Sequence, residues 1–258
     1  MRNILIVLFL FLTSLSYAEE GASQKIVYFT IPKGGSQLFR KAIGLIAERP
    51  LRKVFPLGET SFLDSYIGYN HIGPGYDAIL EDTVGFYTKM IMIRDPRDVI
   101  VSMVSWIQVM ADTDASKEFA KQPLEKQISE LISSPDLSMN GRYPYVFDTH
   151  EGIRCALEWM QNPTVLVCRF EDLVGSKGGG SDIKQVAAIN SIVKHLHYDF
   201  SAEHIQEIAD DLFGDTITFR VGQIGAWRQV FTSEHKKLFK EKMGEELIEL
   251  GYEKDDTW

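Results

Sequence analysis

KIVYFTIPKGGSQLF, residues 25–39, is the stretch that decides the fold. Residues 25–31 are almost continuously apolar or β-branched, as in a strand covered on both faces. The run stops at Pro32, passes through Lys33, Gly34, Gly35 and Ser36, and resumes with helical spacing over about 36–48. A glycine-bearing turn between a buried strand and a helix brings backbone N–H groups and the positive end of the helix dipole to one point, where an anion can be held. Gly34 and Gly35 permit close backbone approach, Ser36 offers a hydroxyl and Lys33 a mobile positive charge. The Walker A pattern G-x-x-x-x-G-K-[ST] is absent, which disfavours an ordinary ATP or GTP site. Taken alone, the loop reads equally well as a plain turn carrying a surface lysine.

Two more apolar, β-rich runs follow, YTKMIMIR at 87–94 and TVLVCRF at 164–170. Helical periodicity occupies about 97–110, 151–161, 183–197 and 234–250. Strand and helix alternate, so the expected class is α/β: a three-layer sandwich with a central parallel sheet. With 258 residues and 45% hydrophobic content, one core and one domain are expected. MRNILIVLFLFLTSLSYAEE opens the chain with one positive charge, an apolar run and small residues ending at Ala18. It reads as a signal peptide over 1–18, too short in its apolar part for an ordinary spanning helix, with an uncleaved anchor as the other option. The domain is then 19–258. Residues 106–150 lack strong periodicity and read as a lid or binding loop.

The net charge of −9 argues against nucleic acid or an anionic membrane as a partner, since both need many distributed cations. An anion must therefore be gripped locally. Cys155 and Cys168 make no disulfide framework, although one bridge between them stays open. Two later stretches offer a local grip. In IRDPRDVIVSMVSW, 93–106, Arg94 ends a strand, Asp95 can cap and Pro96 can take the first helical position. Arg94 suits a two-pronged hold on a phosphate, and Ser102 adds a hydroxyl from the following helix. The competing reading pairs Arg94 and Arg97 with Asp95 or Asp98. In FRVGQIGAWRQVFT, 219–232, Arg220 precedes two glycines three apart, with Trp227 and Phe231 as aromatic anchors.

Together these stretches resemble the sulfotransferases that use 3′-phosphoadenosine 5′-phosphosulfate (PAPS) as donor, which have a P-loop NTPase-like fold. PKGGSQL is similar to their P-K-[ST]-G-[ST]-[ST]-[WL] loop, IRDPRDVIVSM to R-[ND]-P-[RK]-D-x-x-x-S, and FRVGQIGAWRQVFT to R-K-G-x-x-G-D-W-[KR]-x-x-F-T. RFEDLVGSKGGGS, 169–181, looks like the family's Y-E-D-L strand end. The resemblance spans most of the chain from Lys25 onward. It implies that Lys33 contacts the phosphosulfate, that Gly34, Gly35, Ser36, Gln37 and Leu38 cradle it, and that Arg94, Ser102, Arg220 and the backbone near Gly222 hold the 3′-phosphate. Departures are Gly34 and Gln37 in place of hydroxyl residues, Leu38 for a tryptophan, Phe170 for a tyrosine that often reads the base edge, and Val221 for a lysine.

Transfer of a sulfuryl group to an alcohol needs a base for the hydroxyl proton and a cation for the leaving phosphate. The family places a histidine or a glutamate between the first and second motifs. YNHIGPG, 69–75, supplies the interval's only histidine, His71, expected as general base, with Lys33 as the cation. The alternative is an ordinary half-buried histidine beside a Pro-Gly turn. HLH at 195–197 puts its two rings on different helix faces, and no metal is expected. The resemblance thus implies a hydroxyl acceptor, with an amine in second place, on a small molecule, glycan or protein. The alternatives are a kinase-like phosphotransferase and a catalytically inactive nucleotide-binding module. The leader implies the secretory pathway or export, hence a compartment supplied with PAPS; without a working leader the expectation is cytoplasmic.

Overall fold

The computed structural model describes residues 24–55, 63, 65–83, 86–109, 114–133, 149–214 and 222–258. The proposed leader at 1–18 lies outside them, as do Arg220 and Val221. Five strands form one parallel sheet: β1 Ile26–Thr30, β2 Leu51–Lys53, β3 Ile67–His71, β4 Thr88–Ile93 and β5 Val165–Arg169, in the order β2-β3-β1-β4-β5. The helices are α1 Ser36–Ala47, α2 Asp77–Leu80, α3 Pro96–Val109, α4 Asp114–Lys121, α5 Leu124–Ser133, α6 Thr149–Gln161, α7 Phe170–Leu173, α8 Asp182–His195, α9 Ala202–Leu212 and α10 Ser233–Glu249.

The continuous apolar runs are explained by two cores, one on each face of the sheet. Val27, Phe29, Ile91 and Ile93 point to the face covered by α3, α5, α6 and α10. Ile26, Tyr28, Met90 and Met92 point to the face covered by α1, α8 and α9. Side chains alternate along a strand, so only a strand buried on both sides is apolar at every position. Each large side chain so buried contributes about 1.5–3 kcal/mol.

The expected sandwich is present, and the α/β class holds. The short β2 and β3 carry no such run: β2 is largely exposed, and β3 ends in half-buried Tyr69, Asn70 and His71. The lid reading of 106–150 needs correcting for its described part. α4 and α5 bury Phe119, Ile128, Leu131 and Ile132 in the core, because their amphipathic faces are paired with α3 and α10. Cys155 and Cys168 are free thiols.

The chain order places the site. From β1 the chain moves to one side of the sheet through β2 and β3, and from β4 it moves to the other side, to β5. Connections leaving adjacent strands in opposite directions open a crevice at their carboxyl ends. The loops after β1 and β4, which contain Lys33 and Arg94, line that crevice.

Lys89, in the middle of β4, is fully buried and donates to the Asp82 carboxylate at 2.6 Å and to the Leu80 carbonyl at 3.0 Å. Asp82 is about a quarter exposed and can be rehydrated if its partner is lost. Asp82→Ala, which strands the buried ammonium, is therefore expected to cost about 3–5 kcal/mol, and Lys89→Met to cost less. Urea unfolding of both variants checks the order; the reverse order would contradict this account.

Candidate functional site

The loop from Ile31 to Gly35 closes on itself, with the Gly34 N–H donating to the Ile31 carbonyl at 2.8 Å. Lys33 and Gly35 both have positive φ, 61° and 99°. Gly35 caps α1 without a side-chain bond, leaving the first N–H groups of the helix facing the crevice. A Cβ on Gly34 would stand 2.8 Å from the Ile31 carbonyl oxygen, and one on Gly35 2.6 Å from the Phe170 ring. Gly35, at positive φ and against the Phe170 ring, requires glycine, whereas a side chain at Gly34 would have to push the Ile31 carbonyl aside. Ser36, Gln37 and Leu38 form the first turn of α1, half-buried, with Leu38 packed on the α1 side of the core.

Arg94 joins the separate stretches. Its guanidinium donates to the Lys33 carbonyl at 3.4 Å and to the Gln223 carbonyl at 3.0 Å. It lies 4.2 Å from the centre of the Phe170 ring and 3.9 Å from the Asp98 carboxylate. Its Nε is buried with no hydrogen-bond partner among the described residues. Burial lowers its pKa from the ordinary value, and Asp98, Glu171 and Asp95 oppose that shift. Arg94 thus meets Asp98 as the competing reading had it, and also spans the β1 loop and the 222–225 loop.

The other charges of RDPRD hold the walls together. Arg97 makes a two-pronged bond to Asp95, donates to Glu253 at 2.6 Å and packs against the rings of Trp227 and Trp258. Asp98 is buried and accepts the Gly225 and Trp227 N–H groups at 2.7 and 3.0 Å. Burial raises its carboxyl pKa; Arg94 and the two N–H groups pull it back. Glu171 accepts from the Asp95 N–H and the Tyr252 hydroxyl, tying the β5 end to the β4 end. Gly222 sits over the 175–180 loop, where the Ile224 N–H donates to the Gly178 carbonyl at 3.0 Å. Ser102 is half-buried on α3, two turns beyond its start. Trp106, further along α3, presents its ring 5.6 Å from the Lys33 ammonium.

His71 lies beside Thr30 in the β1–β3 register, at the carboxyl edge of the sheet. Its Nδ1 is 3.1 Å from the Thr30 hydroxyl, which is 2.7 Å from the Ser36 hydroxyl. Desolvation brings the imidazole pKa down to about 4, against a hydrogen bond to the Thr30 backbone and with help from Lys53 and Lys33. The ring is therefore neutral at physiological pH, as a proton acceptor must be. Sequence reading did not single out Thr30, Glu171, Trp106 or Gln223, and it named Asp98 only as a pairing partner for Arg94 or Arg97. Asp98 and Glu171 lie inside the quoted motifs, but their partners are about 80 to 130 positions away, and no local pattern reports those.

Two measurements follow. Gly35→Ala should destabilise by about 1–2 kcal/mol from the positive φ alone and more from the ring it would strike. Gly44→Ala, on the open face of α1, should stabilise by about 0.5–1 kcal/mol; thermal unfolding tests the contrast. For His71, a folded pKa near 4 against an ordinary 6.5 means the unfolded chain binds more protons between these values. Its share of stability is complete above about 6.5 and is lost as pH falls towards 4; NMR titration of the ring should show a midpoint near 4, and a midpoint at 6.5 would contradict the burial argument.

The sequence matches no family model and no curated protein. Solved structures do match. Mouse sulfotransferase SULT7A1 complexed with PAP aligns over 90% of this chain and 89% of its own, at 15% identity and a TM-score of 0.63. Retinol dehydratase in complex with androsterone and inactive cofactor PAP aligns over 86% of this chain and 80% of its own, at 15% identity and a TM-score of 0.59. With its parallel sheet flanked by helices on both faces, the chain has the sulfotransferase fold.

Proposed function

We propose that the chain is a PAPS-dependent sulfotransferase that moves a sulfuryl group to a hydroxyl, or in second place an amine, of a small molecule, glycan or protein. One observation carries the reading: Arg94 joins the glycine cradle to the 222–225 loop in the switch-point crevice, beside a neutral histidine on the neighbouring strand. The residues suit a nucleotide that is charged at both ends. The cradle has no room for a Cβ, the N-terminus of α1 faces it, and the Arg94 Nε is buried without a partner among the described residues.

In this reading the 33–38 loop and α1 hold the 5′-phosphosulfate. Arg94, Ser102, Arg220 and the backbone at Gly222 hold the 3′-phosphate, and Phe170 forms the wall beneath. His71 takes the acceptor's hydroxyl proton as its oxygen attacks sulfur in line. The bond from sulfur to the phosphate oxygen breaks, and Lys33 neutralises the charge that builds there. The products are the sulfate ester, PAP and a proton on the imidazole, which passes to solvent. The low pKa keeps the base unprotonated before each turnover.

Labelled-sulfate transfer from PAPS onto acceptor libraries tests the activity. With an acceptor in hand, His71→Ala should lower turnover by about two to four orders of magnitude and leave PAP affinity unchanged. Unaltered turnover removes His71 from the mechanism; tight PAP binding with no transfer to any acceptor replaces the enzyme with an inactive nucleotide-binding module.

A further inference from the structure

His71 and the glycine cradle are joined by one side chain, the Thr30 hydroxyl, which lies 2.7 Å from the Ser36 hydroxyl and 3.1 Å from His71 Nδ1. Thr30 is 1% exposed at the end of β1, so bulk water cannot easily take over either contact. A hydroxyl has one proton to donate. Two arrangements of the chain are therefore self-consistent. In the first, Ser36 donates to Thr30, Thr30 donates to Nδ1, and the ring proton sits on Nε2. In the second, Thr30 donates to Ser36, Nδ1–H donates to Thr30, and Nε2 carries the lone pair.

Only the second arrangement leaves the Ser36 proton to point elsewhere. An anion in the cradle, at the positive end of α1, accepts that proton and so selects the second arrangement. We propose that Thr30 is a positioning residue that couples occupancy of the cradle to the tautomer of His71, so that an anion held by Ser36 moves the ring proton to Nδ1 and turns Nε2 into the base. The inference rests on the functional reading above for the role of Nε2, but the coupling itself needs only an anion. The Thr30 main-chain carbonyl, which also interacts with the ring, accepts and never donates, so it cannot respond to Ser36. The physical consequence is an order of events: the base is armed after the donor binds. A wrongly placed ring proton is costly, because a histidine that presents N–H to the acceptor cannot take its proton.

Ring-nitrogen NMR of the full chain reads the tautomer directly. The six histidines are resolved by subtracting the spectrum of His71→Gln. Two probes are titrated separately, PAP and inorganic phosphate. In the unsubstituted chain, and in Thr30→Ser, saturation with either should convert Nδ1 to the protonated, pyrrole-type signal and Nε2 to the pyridine-type signal. Thr30→Val and Ser36→Ala should lose that conversion. In the ligand-free state, Ser36→Ala should increase the Nε2–H share, since Thr30 then has only Nδ1 to donate to. PAP that binds without moving the tautomer overturns the relay and leaves the nucleotide reading standing. Phosphate that moves it while PAP fails to bind does the opposite. Conversion persisting in Thr30→Val, with native-like unfolding midpoints, also overturns the relay.

Discussion

Everything at the crevice depends on the buried charge cluster at the start of α3. Asp98 receives two backbone N–H groups from the 225–227 turn, and Asp95 and Arg97 form a two-pronged pair whose guanidinium packs against two tryptophans. Hydrogen bonds to a charged group contribute about 1.5–3 kcal/mol each, and more is lost when one partner is removed from a buried pair. These bonds bring a segment far along the chain back onto the end of β4. Together with the Ile224 N–H bond to the Gly178 carbonyl, they place the Gln223 carbonyl against Arg94. The cluster builds the wall, and Arg94 is the member of RDPRD that lines the crevice.

The division of labour among four adjacent charges follows from where each side chain can go. Arg97 and Asp98 lie in the first turn of α3 and are 1% exposed, so they must be paired within the protein. Arg94 follows directly on β4 at the sheet rim, where Phe170 stacks against it and two carbonyls receive it. Those carbonyls hold the guanidinium without neutralising it, and Asp98, at 3.9 Å, is occupied by backbone N–H groups. An arginine held this way stays charged at the sheet rim.

The two sides of the proposed reaction are likewise built from different elements. The donor side is backbone: a loop with two positive-φ residues and the open end of α1. The acceptor side is a side chain on the neighbouring strand, kept neutral by desolvation and by two nearby lysines. Thr30 is the last residue of β1 and touches both. Strand pairing sets its distance to His71, and the tight turn that follows sets its distance to Ser36.

The central strands, the long helices and the glycine-bearing turn after β1 are all legible in the sequence alone. Nearly continuous apolar runs at 25–31 and 87–94 call for burial on both faces, and Gly34 and Gly35 mark a tight turn in which Gly35 takes a positive φ. The resemblance also pointed to His71 as a candidate, as the single histidine between the first and second motifs. That polar YNH is a strand emerges only in the folded chain, since its register comes from β1 and not from its own pattern. The fold also assigned Arg97 to a pair and Arg94 to the rim, and turned Thr30 from a core residue into a link. Periodicity is a local property, whereas hydrogen-bond partners some 40 to 130 positions apart are chosen by chain topology, which no short window of residues contains.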